Sequence, residues 1–492
     1  MQMRFPRRKV LLLTNSELGQ ANVFLATSHA LLQLGAEVHF ASFPAIESSV
    51  TALSRDIVFH AVDGVDMKTA YPRAEVEGSG LEGKTPRFYT MPAVLRICLH
   101  TTMPWSGPQY VDIYRSIVGI LQQVAPNIIA VDPAFSPAVT ACRHMGERFL
   151  ILAPNTIKDF AISYQPPGDV FWTYPCIASG LPFPIPWCYV LLNIYYVALA
   201  LAICWGDRRL REVKQYIRDY TAGDMVGLED LNQRPPPGVK YLVANLPDLE
   251  FPLRTSPPHI IPCGPIIRPA EPVSQTDPDL ASWLSRGPTV YINLGTHAKT
   301  TEATAVEIAK SLVLLLHEAA RETGRETGEK KMKEKLAGLQ VLWKLTRKGQ
   351  YDNRRLTQVL GREMELDRVR VVGWVKAEPP AVLAHEGIVC AMHHGGANSF
   401  LEAVAAGVPQ VVLPVWIDCF DFANRCEFLG VGRWGNKSTP PRCRAPELGP
   451  VLVDVVLGPK SAGYRARAAE LASLCAREPG RTKAARVILG EI

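Results

Sequence analysis

Short apolar runs alternate with longer stretches of helical spacing through the first half of this chain, and that alternation restricts the fold more than any other feature. Val10–Thr14, Val38–Ser42, Ile128–Asp132 and Phe149–Ala153 are nearly continuous apolar segments. A strand that is apolar on both faces must be covered on both faces, which is the condition of a parallel sheet wrapped by helices. A second unit begins at the strand near Thr289. The expected class is therefore α/β, built from parallel-sheet, Rossmann-like units.

At 492 residues the chain is too long for one ordinary core, and two domains of roughly 200–250 residues are expected. From Leu249 to Asp279 prolines cluster and periodicity disappears, which reads as a linker. The expected division is a first domain over 1–250, a linker over 251–285 and a second domain over 286–492. Ser461 to Leu474 has helical spacing and reads as a surface-packed helix. The charged stretch from Glu318 to Lys335 reads as a solvated loop or helix extension.

Composition excludes several classes of function. A formal charge of +6 is small for this length, and no basic stripe with interleaved aromatics marks a nucleic-acid surface. The eleven cysteines form no C-x-x-C pair, so neither a disulfide framework nor a zinc site is indicated, and a reducing, cytoplasmic setting fits best. Arginines precede the apolar run Val10–Leu13, but that run is too short for a signal peptide and reads as a buried strand. Trp187 to Trp205 contains no charge and one Asn, Asn193, so by length it is a candidate membrane span. Its neighbour Leu181–Pro186 has alternate prolines and cannot be helix interior. The preferred reading is a helix buried in its lobe or lining a ligand site; the alternative is peripheral contact with a membrane.

The strongest chemical signal is His393-His394-Gly395-Gly396-Ala397-Asn398-Ser399-Phe400-Leu401-Glu402, followed by Gly407-Val408-Pro409 and Asp418. It reads as a loop-to-helix phosphate site. A glycine pair lets backbone approach an anion, Asn398 and Ser399 offer donors, and the free N–H groups of a starting helix add a favourable dipole. Glu402 falls one turn after Ser399, on the same face, where its carboxylate can accept from a ribose diol.

This string resembles the donor-site signature of the family-1 nucleotide-sugar glycosyltransferases, two-domain GT-B enzymes that move a sugar from a UDP-sugar to a small lipophilic acceptor. The resemblance extends to Lys9–Thr14 with Gly19 to Leu34, to Val131–Phe135, to Pro288–Thr296, to Val341–Lys344 and to Val371–Val375. The wording of Trp416-Ile417-Asp418 and Asp421-Phe422-Ala423 is most similar to the fungal branch. The resemblance implies an acceptor-binding first domain and a donor-binding second one. It places Trp374 against uracil, makes Thr296, His394, Asn398 and Ser399 phosphate contacts with the backbone of Gly395 and Gly396, gives Glu402 the ribose, and gives Asp418 the sugar hydroxyls. Singly, Trp374 could be core, Thr296 a turn residue and Glu402 a solvated carboxylate; their joint order argues otherwise. No cofactor and no metal are expected, since UDP-sugar is a co-substrate and donors with a helix dipole can hold the diphosphate.

Two departures matter. Where many plant relatives have Gln after the aspartate, this chain has Cys419, which removes amide donors; Asp421 is a candidate substitute, and the default sugar remains glucose. Where relatives carry Gly-His after the first strand, the His acting as base, this chain has Gly19-Gln20. An amide accepts no proton at neutral pH, so Gln20 is assigned to orienting the acceptor. Asp132 is expected to collect the proton through a water, or else simply to cap the next helix; Glu17 is a second candidate, and His29 is too far along the helix. The expected activity is inverting transfer of a sugar to a secondary-metabolite or sterol-like acceptor. The alternatives are a nucleotide-sugar-binding protein that has lost its base, and a sugar-nucleotide epimerase.

Overall fold

The computed structural model describes residues 8–71, 86–295, 298–322 and 338–492. Thirteen strands form two sheets, every pairing parallel. The first holds β1 (Lys9–Leu13), β2 (Glu37–Ser42), β3 (Val58–Ala61), β4 (Ile128–Val131), β5 (Phe149–Ala153), β6 (Tyr241–Val243) and β7 (Ile260–Pro262), in the order 3-2-1-4-5-6-7. The second holds β8 (Thr289–Asn293), β9 (Gln340–Lys344), β10 (Val369–Val372), β11 (Ile388–His393), β12 (Gln410–Val412) and β13 (Gly432–Trp434), in the order 10-9-8-11-12-13. Strand order reverses between β1 and β4 in one sheet and between β8 and β11 in the other. In open α/β sheets, ligands settle beyond the carboxyl ends of the strands at such reversals.

The helices that build or flank these sites are α1 (Leu18–Gln33), α2 (Met91–Thr102), α3 (Val190–Gly206), α4 (Arg208–Tyr220), α5 (Ala397–Ala405), α6 (Cys419–Leu429) and α7 (Gly480–Gly490). Val10, Leu11, Leu12 and Leu13 of β1 are all fully buried, because helices cover both faces of that strand. Leu12 faces α1 residues such as Phe24, in a cluster that also includes Ala484 and Ile488 of α7, whereas Leu11 and Leu13 face Ile117 and Phe135.

Three expectations need correction. The segment 251–285, read as linker, contains β7, the last strand of the first sheet. Its proline went against a strand reading, yet an edge strand tolerates a missing donor. The last helix, α7, leaves the second sheet and packs on α1, so the chain ends against the lobe in which it began. It is tied there by Arg8 Nη1 to Leu489 O at 2.8 Å and by Lys240 to Glu491. Finally, the apolar segment is not a buried helix. Trp187–Gly206 is long and apolar enough to cross a membrane, but only 22% of it is buried. Of the charged stretch, Glu318–Glu322 ends the helix Glu302–Glu322, and 323–335 lies outside the described residues.

Candidate active site

At the reversal in the second sheet, β11 ends in His393 and the chain turns through His394, Gly395 and Gly396 into α5. Gly395 has φ +87°, a conformation that favours glycine, and a Cβ there would lie 2.8 Å from Val412 Cγ1 and 2.9 Å from Cys419 O. His393, which has no role assigned from sequence, holds this turn. Its Nδ1 accepts from Gly395 N–H at 3.0 Å, which leaves the ring proton on Nε2 to be donated to Gln410 Oε1 at 2.7 Å. Burial pulls its pKa down to about 4, so the ring is neutral at physiological pH. The Gly395 N–H is thus engaged within the turn. The first-turn N–H groups of α5 have no intrahelical partner and remain the anion-facing set.

The imidazole of His394 is wedged between two glycines. A Cβ on Gly295 would fall 2.8 Å from its Cε1, and one on Gly396 would fall 2.5 Å from its Nε2. Its ring meets the edge of Trp416 at 5.8 Å. The glycine after β8 and the glycine before α5 are thus required by the same ring. Thr296, the next expected phosphate contact, lies outside the described residues.

Trp374 follows β10 and is 70% exposed, as a stacking platform must be. Lys344 Nζ, from the end of β9, lies 4.7 Å from its ring centroid and supports it by a cation–π contact. Glu402 lies on α5 one turn beyond Ser399. Burial pushes its carboxyl up to about 8; Arg268 opposes the shift and Glu378 adds to it. Arg268 and Glu378 are themselves paired at 2.7 Å.

At the reversal in the first sheet a different structure stands. Asp132, at the end of β4, is fully buried. Its Oδ2 accepts from Thr14 Oγ1 at 2.9 Å and Asn15 Nδ2 at 2.8 Å, and its Oδ1 accepts from Ala134 N at 2.8 Å. Burial raises its pKa to about 6 in spite of these bonds. A carboxylate held by three donors with no exposed surface is placed to fix the loop after β1. Asn15 Oδ1 continues the chain of contacts by accepting from Glu17 N at 2.7 Å, just before α1. Gln20, in the first turn of α1, has a buried Oε1 that accepts no hydrogen bond among the described residues. His29 lies further along α1, and burial lowers its pKa, with the charge of Arg481 on α7 adding to the shift.

The two reversals meet. Asn398 Nδ2, in the first turn of α5, donates across to Leu18 O at 3.2 Å and Gly19 O at 3.3 Å. Its amide protons therefore join the lobes. Asp418 immediately precedes α6. Burial pushes its carboxyl up to about 7, and like charge on Asp159 and Asp421 adds to the shift against backbone hydrogen bonds that lower it.

Asp421 is no substitute for the missing glutamine, because it is ion-paired with the buried Lys158 of the other lobe. One turn further along α6, Arg425 pairs with Glu250, and Asn424 Nδ2 donates to Leu181 O at 2.7 Å. Glu250 also accepts from Lys158 N at 3.0 Å and Phe251 N at 2.8 Å. This buried seam between the lobes went unread. Its one sequence signal is the i, i+4 spacing of Asp421 and Arg425, which is also common on solvated helices. Among the described residues no three of His, Cys, Asp or Glu converge on a metal-binding position.

Two parallel sheets with their reversals joined across a crevice, one carrying a glycine turn and a helix start, form the GT-B architecture of glycosyltransferases. The chain is 31% identical to Glycosyltransferase sdnJ of Sordaria araneosa, over 99% of this chain and 98% of that protein, and it belongs to the family-1 glycosyltransferases. Residues 361–489 match the family model of the erythromycin biosynthesis protein CIII-like C-terminal domain. UDP-glycosyltransferase 84B1 of Arabidopsis thaliana is 29% identical over 43% of this chain and 45% of its own length. In fold the chain is similar to a UDP-glucosyltransferase from Polygonum tinctorium capable of glucosylating indoxyl, with a TM-score of 0.64 at 16% identity, covering 99% of this chain and 98% of that one.

Proposed function

We propose that this glycosyltransferase moves a sugar, glucose by default, from a UDP-sugar to a small lipophilic acceptor of secondary-metabolite or sterol-like character, with inversion and in the cytoplasm. The observation that carries this reading is the β11–α5 turn. His394 is wedged between two glycines beside the helix start, and Glu402 stands one turn on. The diphosphate meets the N–H groups of α5, Ser399 and His394; uracil stacks on Trp374; Glu402 accepts from the ribose; and Asp418 accepts from the sugar. No metal or cofactor enters this scheme. The relatives that share the fold and family include proteins named for UDP-sugars and for glucosylation.

In the transfer step the acceptor oxygen forms a bond to the anomeric carbon as the bond from that carbon to the diphosphate oxygen breaks. The acceptor's proton must leave. In this scheme Gln20 Oε1, which has no partner among the described residues, receives a hydrogen bond from the acceptor hydroxyl but cannot take its proton, and Asp132 positions the loop through Thr14 and Asn15. The proton therefore goes to water, and acceptors that ionise easily, phenols and carboxylic acids, are the preferred substrates. The peripheral membrane contact considered from sequence belongs to the same lobe as this acceptor.

The test is UDP release from UDP-glucose with matched phenolic, carboxylic and aliphatic alcohol acceptors, with product configuration read by NMR. Acceptor-dependent release and an inverted product are expected, with phenols fastest. Equal rates for an acidic phenol and its alcohol analogue would remove the argument from Gln20. UDP binding without turnover on any acceptor or donor would favour a binding protein.

A further inference from the structure

Helix α3 is amphipathic in reverse. Between Asp169 and Asp207 there is no charged residue, and the one strongly polar side chain of α3, Asn193, lies on its covered face. There Asn193 accepts from Cys176 N at 2.7 Å and donates to Phe171 O at 2.8 Å and Tyr174 O at 3.0 Å. Tyr196, Val197 and Ile203 pack on the same side against Met91, Val94 and Leu95 of α2. The opposite face is apolar and open. Trp187 is 88% exposed, Leu191 80% and Trp205 67%, with Ala198 and Ala202 exposed between them. These positions recur on one helical stripe about 27 Å long at 1.5 Å per residue. Exposed Phe88 extends the stripe by stacking on Tyr195 at 4.7 Å. Contiguous apolar patches of this kind are uncommon on proteins that meet only water.

The surroundings of the stripe are cationic. Arg87 and Arg96 are exposed beside α2, and Arg211 is exposed where α3 gives way to α4, next to the Arg208–Glu212 ion pair. Of the nearby acids, Asp207 is bonded to His100 at 3.1 Å and Glu212 to Arg208 at 2.7 Å. Both ends of α3 are anchored to the protein body, so the helix cannot cross a bilayer. Leu181, ahead of it, is bonded to Asn424 of the second lobe, and Arg209, after it, holds Met103 O at 2.8 Å and Trp105 O at 3.1 Å.

We propose that the α3 face lies in the interfacial plane of a bilayer with anionic headgroups, and that the enzyme takes its lipophilic acceptor from that layer. The second part rests on the transferase reading. Apolar side chains enter the acyl boundary, tryptophans at the two ends sit at headgroup level, and the arginine collar meets lipid phosphates. The cluster beneath α3 continues to Ile417, the neighbour of Asp418, so an apolar path leads from this face toward the crevice.

The full chain is tested by flotation with phosphatidylcholine vesicles, with and without phosphatidylserine, beside the combined Trp187→Ser, Leu191→Ser and Trp205→Ser variant. All three side chains are exposed, so an unchanged thermal midpoint verifies that the variant folds. The wild type is expected to float with vesicles, more strongly with phosphatidylserine and less in high salt, and the variant to bind about tenfold more weakly or worse. Flotation of wild type and variant alike, or of neither, overturns the proposal. So does a concentration-dependent dimer that the same variant disperses, since a second copy then covers the face. Turnover of a water-soluble phenol without vesicles separates the two readings: turnover without flotation defeats only the membrane proposal, and flotation without turnover leaves the membrane contact standing but defeats the transferase reading and, with it, uptake of the acceptor from the layer.

Discussion

The carboxyl ends of the two sheets occupy equivalent positions but are built differently. At β8 and β11 the backbone does the work: two glycines make room for His394, a third bends around His393, and the N–H groups of α5 are left facing outward. At β1 and β4 the side chains close on themselves, with Asp132 tied to Thr14, Asn15 and Ala134, while Gln20 holds an acceptor without a partner among the described residues. A backbone site can receive one fixed ligand, such as a diphosphate, wherever the outer side chains vary. A site bounded by side chains can be changed residue by residue, and position 20, a glutamine in this chain, is such a place.

That contrast is sharpest at Gly395. Gly395→Val forces a side chain into Val412 and Cys419 O at a left-handed backbone position, and should lower turnover about a hundredfold or more together with UDP affinity. Calorimetric UDP binding that survives intact would show the turn is not the donor site. The opposite lobe should respond in rate alone. Gln20→His supplies a group that titrates near neutrality and should raise turnover of aliphatic alcohols about tenfold or more, with activity increasing as pH passes through about 6.5. Unchanged alcohol rates would show that the acceptor hydroxyl does not sit at position 20.

Trp374→Ala removes the exposed stacking face and should weaken UDP about tenfold while leaving the thermal midpoint nearly unchanged. A large loss of stability would mean the ring is structural. The smallest effect comes from Glu402. With its carboxyl pushed up to about 8, the free protein carries it protonated at pH 7, and a hydroxyl donor favours the ionised form. UDP affinity should therefore rise several-fold between pH 6.5 and about 8.5, and Glu402→Gln should flatten the profile. The sign for stability is opposite. The folded pKa lies above the unfolded value, so this carboxyl's contribution to stability is present below about 4.5 and is lost as pH rises through about 8. Thermal midpoints of wild type and Glu402→Gln across that window check it.

The strands around the first site were legible because an apolar run such as Val10–Leu13 admits few other readings. The β11–α5 turn was legible because its glycines, Asn, Ser and Glu are adjacent in the chain. β7 was not, since three residues among prolines carry no periodicity. The partners of Asp132 and Asn398 were not legible: both have hydrogen-bonding capacity that sequence counts as available, and residues distant in sequence take it up. The same distance hid Lys158, Asp421, Glu250 and Arg425, whose pairing crosses between the lobes.

Local chemistry thus determined the parallel-sheet class, the position of the donor turn and the absence of an imidazole at position 20, because each depends on residues within one element or one turn. Only the tertiary structure decided which donors and acceptors remain available and which face of α3 is covered. Hydrogen-bond capacity and burial are properties of neighbours in space, and no spacing along the chain records them.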